Sequence, residues 1–68
     1  MVEIFKTNID KAETAERIRL LILEEFPYCL VNIDLDDCDK ILRIHGKVPP
    51  AAIIRLVNEY NYHCEILE

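Results

Sequence analysis

Cys29, Cys38 and Cys64 are the residues of this sequence best suited to chemistry. A thiolate is a nucleophile, a redox centre and a soft metal ligand. Three is an odd number and the spacings are wide, so no disulfide framework uses them all. Reduced thiols are the expectation. Cys64 reads as a small buried hydrophobe inside a strand, and Cys29 as a similar residue near a sheet edge and more exposed. Cys38 falls in a polar turn and is the candidate reactive thiol, able to join two chains or to sense an oxidant. Asp34, Asp36, Asp37 and Asp39 surround it in sequence but lack the central Gly and terminal Glu of a calcium loop. His45 and His63 complete the inventory. Placed on the third and fourth strands with the first between them, they stand about 9.6 Å apart, too far to share one ion. Lys6 would lie between them.

Catalysis finds little support. There is no Ser and a single Gly, so neither a phosphate-cradling loop nor a nucleophile elbow exists. No nucleophile, base and orienting acid can be grouped from this inventory, and no enzyme is expected. The net charge of −5 disfavours nucleic acid, whose affinity comes largely from neutralised phosphates. It equally disfavours an anionic membrane surface. The longest strongly apolar run is Leu20–Leu23, far short of the ~20 residues that span a bilayer. No signal peptide is read at the N-terminus, so a cytoplasmic location is expected.

The elements that must position these residues alternate. Val2 to Ile9 is rich in β-branched and aromatic residues and reads as a strand. Asp10, with Glu13 three residues on, has the spacing of a capping box. Ala15, Ile18, Ile22 and Phe26 then recur at helical spacing, and Pro27 ends that helix. Val31, Ile33 and Leu35 alternate with polar residues in a second strand, Cys29 to Asp36. Lys40 to His45 forms a third, which Gly46-Lys47 breaks. Pro49-Pro50 opens a second helix with the stripe Ile53, Leu56, Val57 and Tyr60. Asn61 suits a left-handed cap, and Tyr62 to Leu67 closes the chain as a fourth strand.

One domain over residues 1–68 follows, α+β in class, with the order β-α-β-β-α-β. That order predicts a ferredoxin-like sandwich: a four-stranded antiparallel sheet with both helices on one face. The first and third strands should be central. The expected strand contribution to the core is Phe5, Thr7, Ile9, Val31, Ile33, Leu42, Ile44, Cys64 and Ile66, packed on the two helical stripes.

FKTNI before the first helix, VNIDLDDCDKILRIHG in the middle and NEYNYHCEIL at the end together resemble the heavy-metal-associated (HMA) domain of copper chaperones and metal-pumping ATPases. The likeness spans nearly the whole chain, with Ile9 where a buried Met often sits and Asn61 in place of the usual Gly. It implies a ferredoxin-like fold and metal carriage through Cys-x-x-Cys in the turn after the first strand. Here Lys11 and Thr14 occupy those two positions. An ammonium repels a metal ion and a neutral hydroxyl is a hard donor, so neither replaces a thiolate on a soft ion. No family ligand carries over, and neither metal nor cofactor is expected.

The open face of the sheet offers another function. Val2, Ile4, Ile41 and Leu67 fall on its parity. With the first and third strands aligned in parallel, Ile4 lies near Ile41. With the first and fourth antiparallel, Leu67 lies near Val2. These four form a candidate interface for a homodimer or a partner protein, and the edge strands offer a second route to pairing. RNA recognition on this face would need exposed aromatics on the central strands, and none stands there. The expectation is an HMA-like domain without metal that works through protein contacts. The alternative is a Cu or Zn chaperone using non-standard ligands such as Cys38 or the histidines.

Overall fold

The computed structural model describes residues 1–67. The elements run β1 (Val2–Thr7), α1 (Ala12–Glu25), β2 (Leu30–Asp34), β3 (Ile41–His45), α2 (Pro50–Glu59) and β4 (Cys64–Ile66). The sheet has the order β2-β3-β1-β4, and every neighbouring pair is antiparallel. This is the ferredoxin-like sandwich expected from the element order, with β1 and β3 central.

The core lies between the sheet and the two helices. Phe5, Leu42 and Ile44 from the central strands meet Ile18 and Ile22 of α1 and Ile53 and Val57 of α2, all fully buried. Ile9, just past β1, is equally buried. Pro27 stops α1, and the backbone N–H of Phe26 donates to Ile22 O at 2.7 Å. Asn61 adopts φ +65°, the left-handed cap its residue type suits.

Several expectations need correction. α1 is not capped by Asp10: Lys11 is the N-cap, extended at φ −123°, and makes no side-chain cap bond. Asp10 instead accepts a hydrogen bond from the Tyr62 hydroxyl at 3.4 Å. β1 and β3 are not parallel. β1 and β2 run the same way across the α1 crossover, and β3 turns back from β2, so β3 opposes both and Ile4 lies across from Arg43 rather than Ile41. Ile66, expected in the core, is 44% exposed, because it ends an edge strand with no neighbour on its outer side.

One polar side chain is buried in the strands. The Thr7 hydroxyl donates to Lys40 O at 2.6 Å and accepts from Ile9 N–H at 3.2 Å. Thr7 N–H donates to Asp39 O at 3.0 Å. Thr7 thus ties the end of β1 to the β2–β3 turn, where Lys40 is held at φ +46°. Thr7→Val keeps the shape and strips both hydroxyl bonds. It should lower stability by about 1–3 kcal/mol, the cost of leaving buried groups unpaired, while Thr7→Ser loses less. A urea midpoint for Thr7→Val equal to wild type would refute this role.

Candidate functional site

The turn between β1 and α1 is where a resemblance to HMA domains would place chemistry. Strand β1 ends at Thr7, and Asn8 accepts His63 N–H on its side-chain oxygen at 2.7 Å. Together with the Tyr62–Asp10 bond, this anchors the turn to the segment entering β4. Lys11 is exposed at the N-cap, and Thr14 is half-buried in the first helical turn. The Lys11 carbonyl accepts Ala15 N–H at 2.9 Å. Among the described residues no carboxylate pairs with the Lys11 ammonium. A cation here also opposes the positive end of the helix dipole. At the two positions where the resemblance would put thiolates, the turn therefore offers one ammonium and one hydroxyl, unsuited to a soft ion.

The thiols are dispersed. Cys64 is buried on β4, where burial pushes its thiol up to about 11 and the Glu65 carboxylate adds to the effect. Cys29 is more deeply placed than its edge position suggested: it is 3% exposed, and its thiol donates to Phe26 O at 3.0 Å. It lies beside the β2 edge and Cys64 on the β4 edge, at opposite sides of the sheet. Cys38 is the exposed thiol, as expected.

Cys38 stands with Asp37 and Asp39, and one ligand atom from each lies within 4.8 Å of the others. The sequence presented these residues only as an acidic turn. The D-C-D spacing was the available signal, but grouping depends on how the turn closes. Asp37 Oδ1 accepts Asp39 N–H at 2.8 Å, and Asp34 Oδ1 accepts Asp36 N–H at 3.1 Å. Lys6 Nζ approaches Asp39 Oδ1 at 3.8 Å. These carboxylates therefore close the turn and meet an ammonium.

His45 and His63 are both exposed, and His63 Nε2 lies 3.3 Å from Glu65 Oε2. Among the described residues every buried side-chain nitrogen or oxygen has a hydrogen-bond partner.

The open face only partly matches its expected composition. Val2 is 45% and Leu67 41% exposed, and Ile4 is half-buried. Leu67 N–H donates to Ile4 O at 2.9 Å, so Leu67 sits beside Ile4 rather than Val2. Ile41 is 5% exposed and leaves the candidate surface. It lies on a central strand, paired with Asp34 on β2. Leu30, which the sequence did not single out, is 71% exposed at the start of β2 and shares the face through its pairing with His45.

No family model, curated protein or solved structure matches the chain.

Proposed function

We propose that this chain is an HMA-like domain that has given up metal binding, has no catalytic role, and acts in the cytoplasm through protein contacts. Lys11 and Thr14 carry the proposal, because they stand where a metal carrier of this type would hold its two thiolates. The remaining thiols support it. Two are buried on opposite edges, and the third sits in a turn whose carboxylates already accept hydrogen bonds. The exposed apolar residues Val2 and Leu67, with Ile4 between the strands, supply contact surface. The net charge of −5 favours a protein partner over nucleic acid or an anionic membrane.

Titration with Cu(I) and Zn(II) under reducing conditions tests the proposal. Neither ion should form a stoichiometric complex of sub-micromolar affinity. Such a complex would overturn it. Loss of that complex in Cys38→Ser would transfer the assignment to the Asp37-Cys38-Asp39 turn.

A further inference from the structure

We propose that the free edge of β2 docks a second copy of this chain, strand against strand about a two-fold axis at Asn32, joining two sheets into one. The inference rests on the protein-contact function above and adds to the open face a second surface with its own partner.

β2 has a strand neighbour on one side only. Its outer N–H and C=O groups are a template for another strand. Proteins commonly blunt such edges with Lys, Pro, a bulge or a very short strand. β4, the other edge, is three residues long and carries Glu65. β2 is five residues, LVNID, with no Lys, Pro or Gly and its one charge at the end. It is the unprotected edge of this sheet.

A groove of about 270 Å³ runs beside that edge, between β2 and α1. Val31 and Ile33 line the strand side and are half-buried. The small residues Ala12 and Ala15 line the helix side and leave room for close approach. Glu16 and Arg19 stand at the rim, paired at 2.6 Å. Hydrogen bonding to Arg19 holds the Glu16 carboxyl below its usual range.

The occupant follows from self-complementarity. Antiparallel pairing about Asn32 sets Val31 of each copy against Ile33 of the other, extending the apolar layer under the helices. Asn32 meets Asn32 on the open face, where each amide offers both donors and an acceptor. Leu30 meets Asp34 at the two ends, the least favourable pair. Along the helices, Glu16 of each copy can meet Arg19 of the other, and a two-fold axis repeats that contact on both sides. A rim with both signs at this spacing matches its own rotated image. A standard interface hides about 800 Å² per partner, a little under a fifth of this chain's 4425 Å². Strand pairing and the α1 flank must therefore both contribute.

Sedimentation equilibrium of the full chain over a concentration series tests the inference, with circular dichroism confirming that each variant folds. Wild type should dimerise. Arg19→Glu should weaken the dimer by at least about tenfold, since like charges then face each other across the axis. The double exchange Glu16→Arg with Arg19→Glu should restore it. Arg55→Glu, on the exposed side of α2 and away from β2, should leave it unchanged. A wild-type monomer at all concentrations would overturn the second-copy assignment and leave the protein-contact function standing. A dimer that Ile4→Glu breaks and Arg19→Glu does not would also overturn it, moving the contact to the open face. Stoichiometric Cu(I) uptake would strike the proposed function itself and not the dimer.

Discussion

Replacing Lys11 and Thr14 together by cysteine should convert this chain into a Cu(I) binder. The reason is local geometry. Lys11 is the N-cap of α1, and Thr14 lies three residues on, in the first turn. Side chains at these two positions reach toward each other across the helix start, as the reciprocal bonds of a capping box show. Two sulfur atoms placed there converge on one ion. The free amides of a helix N-terminus also lower a thiol's pKa, so more thiolate is present at neutral pH. Lys11 is exposed and Thr14 only half-buried, so the exchange disturbs little packing. Removing Lys11 also removes a cation from the positive end of the dipole. Competition with a chromophoric Cu(I) chelator should show one ion per chain. Affinity should rise at least about a thousandfold over wild type, roughly 4 kcal/mol, with each single variant far behind. If the double variant folds and competes no better than wild type, the turn is not a vestigial metal site and the likeness to metal carriers does not extend to it.

The fold was legible because both helices and the turn into the last strand carry boundary residues, whereas the strands carry none: the last spans Cys64–Ile66, not Tyr62–Leu67. Pro27 ends α1, Pro50 begins α2, and Asn61 takes the left-handed turn into the last strand. Alternation in β1 and β3 identified Phe5, Leu42 and Ile44 as core. What escaped was set by contacts distant in sequence. Ile41 falls on the open-face parity, yet it is buried on a central strand with Asp34 of β2 beside it. Asp10 has capping-box spacing with Glu13, yet its carboxylate is engaged by Tyr62, which lies 52 residues away. The Thr7 clamp on Lys40 links partners 33 residues apart. The candidate site divides in the same way. Lys11 and Thr14 are adjacent enough for spacing to place them on one helix start. The β2 edge and its groove with α1 become visible only once β3 is known to lie on the other side of β2.

Gly46→Ala should be the most damaging small substitution in the chain, and it bears on the β2 edge. Gly46 adopts φ +138°, where any Cβ strains the backbone; a Cβ there would lie 2.8 Å from Cys29 Cβ and 3.3 Å from Cys29 Cα. The second contact is with backbone, so no rotamer change relieves it. Strain of this kind costs about 1–3 kcal/mol, and crowding in a packed site about 1–3 more. Domains of this length are stable by roughly 3–10 kcal/mol, so the loss is a large fraction of the total. The region cannot give way easily. Gly46 N–H donates to Met1 O at 2.9 Å, and the Tyr28 hydroxyl donates to Lys47 O at 2.5 Å. Cys29 is itself fixed on Phe26 O. Any shift of Cys29 carries Leu30 with it, the first residue of β2. Gly46→Ala should therefore lower the urea midpoint by about half or abolish folding, and any folded fraction should dimerise less well than wild type. A stability within ~0.5 kcal/mol of wild type, the range of an ordinary surface change, would mean that the hairpin end yields freely. The start of β2 would then be too soft to template a second strand.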